Sequence, residues 1–388
     1  MLPKIELHAH LSGCVRQDTL CAMAARRNLP TFQKFDVKAE LTATTEQNAP
    51  KDDDHDEAQA SRSSIFERAM KKCFAYFETV ARVVTDLDAL EEATRDVLDA
   101  FLDDGCVYLE LRTTPKKLLQ KNSTTAVATS KEADYVRTVR DVCASPKYTD
   151  ELHVRLLLSV DRGKIKSFED AQKQIKCCLA LYHEFAPFVV GLDICGNPAV
   201  DSVVPYLLPA LLEAKDEHDA AAAAERASED SWPLVTFHLG EDISHTETEV
   251  DAVLDCASKL NIRRVGHVCF LTAAQRERVK KLGLGVELCP TSNCVTRSLS
   301  SFSDHHFPEW HSSKVSFCTD DTGLFGCSLS SELAEMKQAF GLSQRDLMQL
   351  QLNALEMSFL PHADPQRQRI RQKIRTAWTS TCEEEDKL

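Results

Sequence analysis

Eight short runs of apolar and β-branched residues recur along the chain, separated by longer segments with helical spacing, and this alternation limits the fold more than any single motif. The runs are Ile5 to Leu11, Cys106 to Arg112, Val154 to Asp161, Val189 to Gly196, Leu234 to Leu239, Arg263 to Phe270, Gly285 to Cys289 and Lys314 to Thr319. Eight parallel strands with intervening helices predict an α/β chain of the TIM, or (β/α)8, barrel class. With 388 residues, 43% of them apolar, the chain can bury a large core, and the spread of the runs from end to end predicts a single domain over 1–388.

Between the strands, 65–84 places Phe66, Met70, Cys73, Phe74, Phe77 and Val80 on one helical face, and core packing explains that face without further function. Segments 89–102 and 331–340 read as helices in the same way. Three stretches read instead as mobile surface insertions without a catalytic role: the acidic 46–64, the Ser/Thr-rich 122–130 and the Ala-rich, acidic 218–230.

Charge narrows the partners. A formal net charge of −14 opposes a non-specific grip on nucleic acid or on an anionic membrane, so an anionic substrate needs a local basic pocket. No run of 18 apolar residues and no leader-like start are present, and a monomer acting in the cytoplasm is expected. The 15 cysteines form an odd number without a C-x-x-C pair, and several lie inside apolar runs, which reads as reduced core thiols.

The polar residues that interrupt this pattern collect at strand ends. His8 and His10 are two apart on a strand, so both imidazoles point to one side and can reach one ion. The fifth strand ends in His238 with Glu241 just beyond it, the sixth carries Gly266-His267, and the eighth ends in Asp320-Asp321. Thr114 and Lys116 follow the second strand, Asp161-Arg162 the third and Gly196 the fourth, while the seventh leads to Thr291-Ser292-Asn293. In a (β/α)8 barrel, catalytic groups converge from these ends onto one face. Any one of them alone could be an ordinary helix cap or loop residue. Together they predict a metal site of His8, His10, His238 and Asp320, with Glu241, His267 and Asp321 placed at the same face. Three imidazoles and a carboxylate suit zinc, which brings a water to a pKa of about 7 for hydrolytic attack. One ion is expected, because the fourth strand offers no lysine to bridge two.

His8-Ala9-His10-Leu11, His238-x-x-Glu241, Gly266-His267 and Thr319-Asp320-Asp321 resemble the adenosine/AMP deaminases of the amidohydrolase superfamily. Leu2 to His8, Tyr108 to Pro115, Gly191-Leu192-Asp193 and Asp320 to Phe325 are similar to the adenosine deaminase-like N6-methyl-AMP deaminases in particular. The resemblance implies an amidohydrolase barrel with one zinc, attack on the purine C6, protonation of N1 by Glu241, and a hydroxide held by His267. It also implies a contact of Asp321 with the water or N7, and of the Gly196 backbone with the ring. Zinc-dependent conversion of N6-methyl-AMP to IMP and methylamine is the expected reaction; adenosine deamination and a non-catalytic nucleotide binder on the same scaffold are the alternatives.

The choice of a small-molecule nucleotide over a nucleoside rests on few residues. Ser12 stands where nucleoside deaminases usually carry an aspartate that would repel a 5′-phosphate. Thr114, Lys116 and Lys117 offer a hydroxyl and two cations at the same rim, with Asp161 beside the ribose side; the two lysines could equally be solvating a loop. Together with His10, Gly196 and Asp321 these residues form the expected substrate contacts. Asn197 and Ala81 depart from the pattern of the relatives.

Overall fold

All eight runs form strands, and each pairs in parallel with the next in chain order. They are β1 (Lys4–His10), β2 (Cys106–Thr113), β3 (His153–Asp161), β4 (Val189–Cys195), β5 (Leu234–Leu239), β6 (Ile262–His267), β7 (Gly285–Leu288) and β8 (Val315–Phe317). The computed structural model describes residues 2–30, 32, 34–36, 71–120, 129–198, 202–224, 231–242, 246–297, 299, 301–310 and 313–385. The seam between β8 and β1 is closed by a single bridge between Ala9 and Asp320. There the His10 N–H donates to the Asp320 carbonyl (3.0 Å) and the Asp320 N–H to the His8 carbonyl (2.8 Å). The result is the expected TIM barrel.

Two strands, β6 and β8, stop two or more residues short of the ends of their apolar runs, and the backbone turns sharply at or just beyond both. β6 stops at His267, where φ is +63°, followed by +48° at Val268; beyond β8 the chain turns at Asp320 with φ +60°. A non-glycine residue in this region costs on the order of 1–3 kcal/mol, so such residues persist only where the surroundings hold them. All three lie at the strand ends that the sequence marked as functional.

The helices pack as their periodicity predicts. Leu87–Asp103 starts at Asp86, whose carboxylate accepts from the Ala89 N–H (2.8 Å), and buries Leu90, Ala93, Val97, Leu98 and Phe101. Leu329–Phe340 follows its pattern, and 71–83 is helical with Cys73 and Val80 buried and Phe74 and Phe77 half-buried. Phe66 and Met70 lie outside the described residues. Two helices with no site motif, Gln344–Met357 and Pro365–Glu385, seal the strand-start end of the barrel. Gln351 accepts from the Ile5 N–H (2.8 Å), and the Trp378 indole donates to the Pro3 carbonyl (2.8 Å).

The surface insertions need correction where they are described. Helix Leu207–Ala224 runs through the first half of 218–230, because alanine, the strongest helix former, outweighs the acidic composition; 225–230 lies outside the described residues. At the end of 122–130, Thr129 pairs with Leu119, and buried Ser130 exchanges hydrogen bonds with Leu118, so that end belongs to the fold. Segments 46–64 and 122–128 lie outside the described residues. All 15 cysteines are unpaired and none is exposed. Among the described residues, no helix is long and apolar enough to cross a membrane.

Candidate active site

At the C-terminal mouth of the barrel, β1 aims His8 and His10 at His238 from β5. The three Nε2 atoms lie 3.0 Å (His8 to His238), 3.2 Å (His10 to His238) and 3.3 Å (His8 to His10) apart. Asp320 Oδ1 is 3.5 Å from His10 Nε2 and 3.7 Å from His8 Nε2. One ligand atom from each of these four residues fits within 4.8 Å of the others.

The far nitrogens say what these rings present. His8 Nδ1 lies 2.9 Å from the Glu287 carboxylate, and His238 Nδ1 lies 3.0 Å from the Ile194 carbonyl and 3.2 Å from Asp193. Carboxylates and carbonyls only accept, so both Nδ1 atoms carry the proton and both Nε2 atoms turn lone pairs toward each other. Lone pairs converging at 3.0 Å with a carboxylate beside them are stable around a cation. The donor set therefore fits a divalent metal.

Below the imidazoles lies a layer of charge that the sequence did not single out as functional. Fully buried Arg112 bridges Asp193 (3.0 Å) and Glu287 (2.5 Å), and Arg264 bridges Glu287 (2.6 Å) and Glu110 (2.6 Å). Asp193 and Glu287 thus each orient one histidine and are each held by an arginine. The available signal was a lone charge inside an apolar strand, which needs a partner once both faces are covered.

The catalytic candidates lie next to this cluster: His267 packs against the rings of His8 and His238, and Asp321 follows Asp320. Glu241 Oε1 sits 3.8 Å from His267 Nε2, and burial pushes the Glu241 carboxyl up to about 7, with His238 opposing and Asp320 adding to the rise. His267 Nε2 and Asp321 Oδ1 are buried without a hydrogen-bond partner among the described residues. Burial and the neighbouring Asp320 raise the Asp321 carboxyl well above its usual range. Gly13 makes room for it: a Cβ there would lie 1.6 Å from Asp321 Oδ1, a requirement invisible in a lone glycine of the sequence.

The expected substrate contacts divide into free and committed groups. Ser12 and Thr114 are half-buried, with no hydrogen bond to a described residue. Lys116 is half-buried too, and its ammonium is disfavoured by burial and by nearby Lys164. Lys117 is exposed, with Nζ 3.9 Å from Glu132. Asp161 caps the turn after β3 by accepting from the Gly163 N–H (3.0 Å) and pairs with Lys164 (3.2 Å). Arg162 is buried against Glu249 (2.9 Å). Gly196 has φ +108°, and a Cβ there would lie 2.3 Å from Asp161 Oδ1. Asn293 turns inward to His267.

Comparison with known proteins shows the family. The Adenosine deaminase family model matches residues 3–377. The N6-mAMP deaminase of Arabidopsis thaliana is 30% identical over 379 residues, covering 92% of each chain. The N6-methyl-AMP deaminase of Homo sapiens is 29% identical over 383 residues, covering 96% of this chain and 92% of that one. A solved structure of Arabidopsis ADAL complexed with IMP superposes with a TM-score of 0.70 at 30% identity, covering 98% of each chain. Matched along nearly its whole length, the chain belongs to the adenosine deaminase family and is a hydrolytic deaminase.

Proposed function

We propose that the protein is a zinc-dependent deaminase of purine nucleotides that converts N6-methyl-AMP and water to IMP and methylamine. The observation that carries the reading is the convergence of three imidazole Nε2 atoms and Asp320 beside an acid-tuned Glu241. Zinc held by His8, His10, His238 and Asp320 supplies Lewis acidity, which brings a water to a pKa of about 7.

The chain's own residues account for the remaining work. Glu241, whose carboxyl burial raises to about 7, gives its proton to N1 of the purine as water adds to C6. The ring loses aromaticity and C6 becomes tetrahedral. Asp321, with Oδ1 unpartnered, faces the water or N7, and the Gly196 backbone lies against the ring. One proton of the added water passes by way of a neighbouring carboxylate to the substituent nitrogen, the C6–N bond breaks to release methylamine, or ammonia where the nitrogen is unmethylated, and the remaining hydroxyl proton goes to Glu241 as C6 becomes a carbonyl.

A phosphate on the substrate is supported by what lies at the rim. Among the described residues the Ser12 and Thr114 hydroxyls make no hydrogen bond, and the Lys116 ammonium, disfavoured by burial and then by the charge of Lys164, would gain from an anion beside it. His10 and Asp161 border the same space. The relatives named for N6-methyl-AMP and the relative bound to IMP support the same substrate class. Fifteen unpaired cysteines support a reducing, cytoplasmic setting, and we propose a monomer.

The test is kcat/KM for N6-methyl-AMP, AMP and adenosine, with metal content measured on the same preparation. Preference for N6-methyl-AMP with one zinc per chain is expected. Preference for adenosine returns the alternative nucleoside enzyme, and stoichiometric metal with no amine released from any purine returns a non-catalytic binder.

A further inference from the structure

Behind His267 runs a chain of hydrogen bonds in which groups with only one possible role fix every proton. The Phe307 backbone N–H, which can only donate, lies 3.0 Å from His305 Nδ1, so that nitrogen accepts. In a neutral ring His305 Nε2 then carries the proton, and it lies 3.2 Å from Asn293 Oδ1. The Cys289 backbone N–H donates to the same oxygen (3.2 Å). Two donors on one side settle which end of the Asn293 carboxamide is oxygen, an assignment that hydrogen-bond partners alone can make. The amide nitrogen therefore faces His267 Nδ1 at 3.0 Å and donates to it.

The backbone of His267 is held by a parallel arrangement. His306 Nε2 lies 2.7 Å from the His267 carbonyl, which can only accept, and Arg297 donates to His306 Nδ1 at 3.0 Å. The His305 and His306 rings stack at 4.3 Å. Burial keeps both in the neutral form. His267, Asn293, His305 and His306 are each at most 5% exposed, so water does not compete for these bonds. The strained backbone at His267, with φ +63°, is thereby held from two directions.

We propose that Asn293, its carboxamide locked by His305, is a positioning residue that fixes His267 as the Nε2–H tautomer, so that His267 donates a hydrogen bond to the attacking water. The only lone pair of that neutral ring is at Nδ1 and is occupied by the Asn293 N–H. Nε2, buried and without a hydrogen-bond partner among the described residues, carries its proton on the side where Glu241 Oε1 lies 3.8 Å away. A ring in this state cannot take a proton from a water lying on its Nε2 side. The proton released as water adds goes instead to one of the carboxylates lining the cavity. The recipient of the hydrogen bond rests on the deaminase reading above; the tautomer does not.

The test reads the tautomer directly, by 15N NMR of histidine side chains in metal-loaded and metal-depleted protein, with His267 assigned by its loss in His267→Gln. The wild-type protein is expected to show the proton on Nε2, and a proton on Nδ1 overturns the proposal without any variant having to fold. Asn293→Asp replaces the donor with an acceptor and is expected to move the proton to Nδ1. With N6-methyl-AMP, kcat should then fall about 100-fold with KM within about threefold, since a catalytic histidine in the wrong tautomer loses orders of magnitude in rate. His305→Phe, which removes the bond to Asn293 Oδ1, should lower kcat about tenfold, and His305→Gln, whose amide can donate there, should recover most of it. Retention of the Nε2 proton in Asn293→Asp, or equal loss in the Phe and Gln variants, overturns the proposal. An Nε2 proton in a protein that releases no amine leaves the positioning intact and sinks the deaminase reading.

Discussion

The barrel mouth and the barrel interior just beneath it are both rich in buried charge, but they treat it in opposite ways. In the interior, Arg112, Arg264, Glu110, Glu287 and Asp193 are completely buried, and each meets an opposite charge within 3.0 Å, with Arg112 Nε left without a hydrogen-bond partner among the described residues. At the mouth, His267 Nε2 and Asp321 Oδ1 have no partner among the described residues, the backbone is strained at three positions, and carboxyl groups are raised toward neutrality. Buried polar groups are ordinarily satisfied, so the interior is built for rigidity and the mouth for something the protein does not itself supply. The contrast separates residues that hold from residues that react.

Substitutions can break the contrast or sharpen it. The largest effect is expected for Glu241→Gln, which keeps the shape but removes the transferable proton: kcat should fall by about 100- to 10,000-fold, with thermal unfolding and bound metal nearly unchanged. A parallel loss of stability would mean that the mouth is structural after all. Glu287→Ala should instead cost stability, because it takes a shared carboxylate from Arg112 and Arg264, and should weaken metal binding with it, because His8 loses its orienting partner; removing one partner of a buried ion pair costs about 3–5 kcal/mol, measurable by denaturant unfolding. A variant of wild-type stability would show that the interior network does not hold the barrel.

The rim offers a finer division of the same kind. Lys116→Ala should raise KM for N6-methyl-AMP about 10- to 100-fold while leaving adenosine turnover alone, as expected for a charge-assisted hydrogen bond of about 1.5–3 kcal/mol. Equal effects on both substrates would remove Lys116 from the phosphate. Lys117→Ala should change neither substrate's kcat/KM by more than about fivefold, since an exposed pair such as that with Glu132 is worth at most about 1 kcal/mol. A large nucleotide-specific loss at Lys117 would mean that the loop rearranges on binding.

How much of this was legible in the sequence follows from how local each determinant is. The eight strands could be read because parallel strands covered on both faces leave continuous apolar runs. Their ends misled where function bends the chain: residues 268–270 continue an apolar run, but the positive φ at His267 and Val268 ends β6 earlier. Composition misled at 218–224, where acidic character suggested an insertion and alanine made a helix. The four-residue cluster was legible through the rule that barrel strands deliver function at their C-terminal ends. Glu287, Arg112 and Gly13 were not, because their meaning comes from partners 279, 175 and about 300 residues away, brought together only by barrel closure. Asn293 lay in a segment marked as functional, yet its role depends on His305, which carried no strand-end signal.

The seam at Ala9 and Asp320 has a consequence for how such a protein comes into being. His8, His10 and His238 leave the ribosome well before Asp320, and the same Asp320 whose carboxylate completes the cluster also carries the backbone bonds that join β8 to β1. A growing chain therefore holds three imidazoles on an open sheet, with neither the fourth donor nor the closed ring that sets their spacing. On the proposed metal site, capture of the ion and closure of the cylinder become one late event in biogenesis, and a chain that stalls short of its eighth strand would lack both the closed ring and the fourth donor.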